Sequence, residues 1–94
     1  MGIWKMTKCN KNYIEKHLKS ADAGIPDEQF RAGLLFSTGD GVPQDLVTAH
    51  KWFNLAAMNG IAEAREIRAE ISMDMSAQEI ARAQKMAREW IMGR

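Results

Sequence analysis

The stretch from Ala32 to Gly60, AGLLFSTGDGVPQDLVTAHKWFNLAAMNG, restricts the fold more than any other part of the chain. Two segments with helical spacing flank the loop Thr38-Gly39-Asp40-Gly41-Val42-Pro43-Gln44-Asp45. Glycine and proline are the strongest local breakers of regular structure. Asp45, placed after the proline, can cap a helix starting at Leu46, its carboxylate accepting from the free N–H groups of the first turn. Asn59-Gly60 closes that second helix, because glycine takes the left-handed turn after a helix without a steric penalty. The expected object is a helix-turn-helix hairpin with a tightly specified polar loop.

The rest of the chain carries helical spacing as well. Tyr13, Ile14, His17, Leu18 and Ala21 form one stripe, capped at Asn10 or Asn12 and ended by Gly24. Pro26 suits the first turn of the next helix, where its missing N–H costs nothing, and Asp27 and Glu28 complement the helix dipole there. That helix runs through Phe30, Gly33, Leu34 and Phe36 to Thr38-Gly39. Gly33 inside it costs about 1 kcal/mol relative to Ala and so marks a close approach between helices. The third helix presents Leu46, Ala49, Trp52, Phe53, Ala56 and Ala57, and His50 is expected to face solvent. A fourth, from about Ile61 to Ser72, aligns Ile61, Ala64, Ile67 and Ile71. Ser76 and Glu79 form a capping box that opens a fifth, Ala77 to about Met92, with Ile80, Ala83, Ala87, Trp90 and Ile91 on one side. No segment alternates apolar and polar residues long enough to make a strand. Residues 1–10 have no period and are expected to fray, leaving residues 11–94 as a single domain.

At an offset of 36 residues the chain matches itself: Ala21 with Ala57, Gly24 with Gly60, Ile25 with Ile61, and Asp27 with Glu63. A fixed offset of this size is the signature of stacked helical hairpins. The pattern Gly39-Asp40-Gly41-Val42-Pro43-Gln44-Asp45, followed by Ala49, Lys51-Trp52-Phe53, Ala56-Ala57 and Gly60, resembles the Sel-1-like repeat. Gln29-Phe30-Arg31 and Gly33-Leu34-Leu35-Phe36 extend the resemblance, and the segment from Met75 to Trp90 is similar to the closing helix of many short bacterial members. The resemblance implies a short right-handed, tetratricopeptide-like α-solenoid of five helices. One full repeat would span about 25–60, with a half repeat on each side. It also assigns structural roles to Gly33, Gly39, Gly41, Pro43, Asp45, Ala49, Trp52, Phe53, Ala56, Ala57, Gly60 and Trp90. The chain departs from the family at Glu28, where a small residue is favoured, at Ala32, where Leu is favoured, and at Phe36, where Tyr is usual. The paired cysteines of disulfide-linked relatives are missing, so activities proposed for those relatives are not implied.

A net charge of +1 selects no partner class, although residues 1–20 carry +4, residues 21–80 carry −6 and residues 81–94 carry +3. With Cys9 as the one cysteine, an internal disulfide is impossible. No apolar run could span a bilayer, and the first residues lack the apolar core of a secretory signal, so a cytoplasmic location is expected. Cys9, His17 and His50 have no spacing that would bring a nucleophile, a base and an orienting acid together, or converge on a metal. The Gly39-Asp40-Gly41 loop lacks the lysine and preceding strand of a phosphate-binding loop. The near-neutral domain with an acidic centre argues against nucleic acid. Met73, Met75, Met86 and Met92 are expected to serve packing.

The expected function is therefore non-catalytic, with no cofactor and no metal: a module that binds a protein or peptide on its concave face through Glu28, Gln29, Arg31 and Leu35. The alternative is a structural protein whose open repeat ends pair in a homo-oligomer such as a homodimer.

Overall fold

Five helices and no strand make up residues 10–93, the part of the chain that this computed structural model describes. They are α1 (Lys11–Asp22), α2 (Pro26–Thr38), α3 (Leu46–Met58), α4 (Ala62–Ser72) and α5 (Ala77–Met92), so the fold class is all-α. Trp4, Met6 and Cys9 lie outside the described residues.

Local chemistry sets the helix ends. Asn10, rather than Asn12, caps α1, its Oδ1 accepting from the Tyr13 N–H at 2.8 Å. Pro26 opens α2, and Gly39 ends it in the left-handed conformation at φ 73°, donating to the Leu35 carbonyl. Asp45 caps α3 by accepting from the Thr48 N–H at 3.1 Å and the Thr48 hydroxyl at 2.8 Å. At the start of α5 the Ser76 N–H donates to Glu79 and the Glu79 N–H donates to Ser76 Oγ, satisfying two donors reciprocally. The helix α4 begins one residue later than its spacing suggests, because Ile61 is its extended N-cap.

The two turns that join α1 to α2 and α3 to α4 have the same hydrogen bonds, 36 residues apart. Gly24 donates to Ala21 and Gly60 to Ala57; Ile25 donates to Ser20 and Ile61 to Ala56. Gly24 and Gly60 also share a positive φ, 99° and 100°, which L side chains rarely adopt.

Pairs across the helices fix their directions. In the α1–α2 pair, Tyr13 meets Arg31 and His17 meets Glu28. In the α2–α3 pair, Gln29 meets Asn59, Phe30 meets Phe53 and Ser37 meets Gln44. In the α3–α4 pair, His50 meets Ser72 and Asn54 meets Arg68. Each sequence of partners descends as the other ascends, so these neighbours are antiparallel. The last helix departs from this order. Its principal contact is with α3, not with α4, and it runs parallel to α3: Arg82, in the second turn of α5, acts on Asp45 at the start of α3, and Trp90 meets Trp52 further along.

Small residues allow this crowding around α3. Ala21, Ala32, Ala49, Ala56, Ala64, Ala83 and Ala87 are all buried. Between them sit aromatic rings: Phe53 is 5.7 Å from Phe30 and Trp52 is 6.5 Å from Trp90, both pairs tilted or edge-on. Such pairs contribute about 0.5–1.5 kcal/mol beyond their area burial. Phe36 packs against both resulting clusters, one built on Trp52 and Leu55 and one on Phe53 and Ala64.

The structure corrects three expectations and adds two residues to the core. On α2 the inward leucine is Leu35, 5% exposed, whereas Leu34 is 37% exposed. His50 is only 3% exposed, because α2, α4 and α5 surround α3 and leave it little solvated face. For the same reason Val47 and Leu55 join the core. Met73 and Met92 do not pack but stand exposed, Met73 just past the end of α4 and Met92 at the end of α5.

Candidate functional site

A polar cluster joins α1 to α2. The His17 Nδ1–H donates to Glu28 Oε1 at 2.6 Å, and the same oxygen accepts from Arg31 Nε at 3.2 Å. Arg31 Nη1 donates to the Tyr13 hydroxyl at 2.8 Å, and the guanidinium stands 6.0 Å from the centre of the Tyr13 ring. The Tyr13 and His17 rings are in turn 4.2 Å apart. Helical spacing places these groups: Tyr13 and His17 are one turn apart on α1, Glu28 and Arg31 nearly one turn apart on α2, and the antiparallel packing brings the two faces together.

Beside the cluster lies a hollow of about 330 Å³ lined by Tyr13, Arg31, Leu34, Leu35, Thr38 and Asp40. Arg31 is 45% exposed at its edge, and Leu34 offers apolar surface. With Nε and one Nη1 hydrogen engaged by Glu28 and Tyr13, the remaining guanidinium N–H groups are held in a fixed direction. Arginine fixed in this way can take a carboxylate in a planar, two-point contact. A wider open depression of about 850 Å³ is lined by α1 alone, through residues such as Asn12, Lys16 and Ser20, and has no second wall among the described residues.

Of the four residues expected to meet a partner, Arg31 and Glu28 do lie at this surface, with Glu28 partly covered by its bonds to His17 and Arg31. Gln29 and Leu35 do not present themselves as expected. Gln29 is 0% exposed: its Nε2 donates to the Ala21 carbonyl at 3.4 Å and its Oε1 accepts from Asn59 at 3.2 Å. It therefore ties the end of α1 to the end of α3 across the start of α2. Leu35 contributes only a buried wall to the hollow. The residues that take their place are Tyr13, Leu34, Thr38 and Asp40; Leu34 and Asp40 stand within the repeat-like stretches, but nothing in those stretches marks them as a binding surface. Only the spacing of Arg31, Leu34 and Thr38 on α2 signals a shared face.

Other polar groups are bound into the fold. Burial lowers the Lys51 pKa from its ordinary 10.5, partly offset by the charge of Asp22, and the ammonium stands 4.3 Å from the centre of the Trp52 ring. The Ser72 hydroxyl donates to the Arg68 carbonyl at 2.7 Å and lies 3.0 Å from His50 Nε2. Among the described residues no three metal-ligating side chains converge, and no helix is long and apolar enough to cross a membrane.

No protein-family model matches the chain. No curated protein matches it either.

Proposed function

We propose that this chain is a short α-solenoid of the Sel-1-like type that binds a peptide segment of another protein in the α1–α2 hollow. The repeated turn at Gly24 and Gly60, and the parallel course of α3 and α5, support stacking of like units. One observation carries the binding site: Arg31, oriented on two sides by Glu28 and Tyr13, stands over a hollow with Leu34 exposed in it. The partner that fits is a short segment with an apolar side chain for Leu34 and a carboxylate for Arg31. The work is done by shape and fixed charge, not by a reactive group.

Selection of a peptide library on the immobilised chain tests this. Peptides pairing an apolar with an acidic residue are enriched, and their binding falls at least tenfold on Leu34→Glu and on Arg31→Glu, about 1.4 kcal/mol each. No enrichment, or binding indifferent to both substitutions, overturns the proposal.

A second function has its own observation. Ile25 at the start of α2, Met58 at the end of α3, and Ile91 and Met92 at the end of α5 are all exposed, and the helix directions bring them to one end of the molecule. An apolar end of this kind suits a second copy of the chain. Light scattering then reports a dimer whose population falls on dilution and which Met92→Lys disperses. A monomer at every concentration removes this second function.

A further inference from the structure

His50 is buried in the α3–α4 contact, and its protonation state can be derived from its neighbours. Its Nε2 lies 3.0 Å from Ser72 Oγ, whose hydrogen is committed to the Arg68 carbonyl. Nε2 therefore carries the ring hydrogen and donates, while Nδ1 is an unprotonated acceptor. That Nδ1 is buried and has no hydrogen-bond partner. A neutral ring tolerates this arrangement, but a protonated Nδ1 would be a buried donor and a charge with nothing to receive either.

The surrounding elements offer no relief. From α4, the charged group acting on His50 is Arg68, which carries the same sign as an imidazolium. From α2, antiparallel pairing sets Ala32 and Gly33 near the level of His50, Arg31 is turned to Glu28 and Tyr13, and Asp27 lies toward the other end. From α5, the buried residues are Ala83 and Ala87, while Glu79, Arg82, Lys85, Arg88 and Glu89 are exposed. On α3 itself, Lys51 is directed to Trp52 and Asp45 is engaged with Thr48.

We infer that the α3–α4 contact is an acid-released latch: protonation of His50 detaches α4 and uncovers the apolar surface of Ala49, Phe53 and Ala56 beneath it. That surface is what Ala64, Ile61, Ile67 and Ile71 cover in the closed state. Burial, with a smaller effect from Arg68, depresses the His50 pKa below its ordinary 6.5, in keeping with the geometry. Because the folded value is depressed, the open state binds the additional proton. The closed state is therefore favoured above 6.5 and weakens as pH falls from 6.5 toward the folded value.

Amide exchange of the full chain between about pH 7 and about pH 5, corrected for the intrinsic rate, tests the latch. In the wild type the opening constant of α4 rises toward about tenfold per pH unit below the ordinary histidine value, while α1 and α2 keep their protection. His50→Gln retains a donor for Ser72 but cannot titrate, and its α4 exchange is flat over the same range. His17→Gln, which alters the other histidine, retains the wild-type slope. Should His50→Gln fail to fold, the His50 ring titration in the wild type, followed by NMR, decides the matter. A ring that charges in step with α4 opening supports the latch. Unchanged α4 protection in the wild type, or a slope that persists in folded His50→Gln, overturns it.

Discussion

A methyl group added at Gly33 would sit 2.5 Å from a carbon of the Phe53 ring, inside van der Waals contact. Gly33→Ala therefore sets a gain of about 1 kcal/mol in helix propensity against about 1–3 kcal/mol of overpacking. Because the obstacle is a fully buried ring rather than a flexible chain end, the overpacking wins. Urea denaturation should show a net loss of about 1–2 kcal/mol, largely recovered when Phe53→Leu is added. This contact was legible in the sequence, since a glycine within an apolar helical stripe has little other purpose. The choice between Leu34 and Leu35 was not. Neighbouring positions on a helix point about 100° apart, and which one faces inward depends on how α2 meets α3. His50 and Gln29 were hidden for a related reason: polar side chains enter a core when the surrounding chain supplies partners, and those partners, Ser72 and Asn59, are distant in sequence.

Helix ends depend on a few adjacent residues, which is why Asn10, Pro26, Gly39, Asp45 and Ser76 could be read as boundaries before any packing was known. Asp45 is the most informative of them. Burial raises its pKa and is the largest single influence, but it is outweighed by the Thr48 hydroxyl, the Thr48 and Val47 backbone N–H groups and the charge of Arg82 acting together. The carboxyl is held below its ordinary 3.8. Its ionised form thus stabilises the fold at every pH above 3.8, and the contribution disappears as pH falls through the folded value. Asp45→Ala should cost about 1 kcal/mol at neutral pH by thermal or urea unfolding, and the gap to wild type should close in strong acid. A gap that stays constant into strong acid would mean that the cap does not act through its charge. A different cost applies at Gly60, where an added Cβ meets nothing within 4 Å but φ is 100°. Gly60→Ala should lose about 1–2 kcal/mol through backbone strain alone.

In the whole molecule, the arrangement depends on α3 being enclosed by α2, α4 and α5. The number of helices and the α2–α3 hairpin were legible, because each helix carries its own end signals and the glycine-rich loop 39–45 lets the chain turn back. The seat of α5 was less so: its apolar stripe announces that it packs but does not name the helix it packs on. Trp90 secures it, with its ring at the edge of Trp52 and its Nε1–H donating to Asp22 at 3.0 Å. Trp90→Ala should destabilise the fold by about 2–3 kcal/mol, below the range for a fully buried ring because Trp90 is partly exposed, with amide protection in α5 lost first. The proposed binding surface belongs to this scale too. Arg31 was visible as a charged residue on α2, but Tyr13 and Leu34 join it only once α1 is laid against α2.

Nuclear Overhauser contacts from the methyl groups of Ala83 and Ala87 test this architecture most directly. They should reach α3, with Ala87 near Trp52 and Leu55, and the Gly33 α-protons should be shifted by the Phe53 ring. Contacts from Ala83 and Ala87 to Ala64 and Ile67 on α4, in place of α3, would contradict the account. The last two helices would then form an ordinary hairpin, and the parallel stacking on which the solenoid proposal depends would be gone.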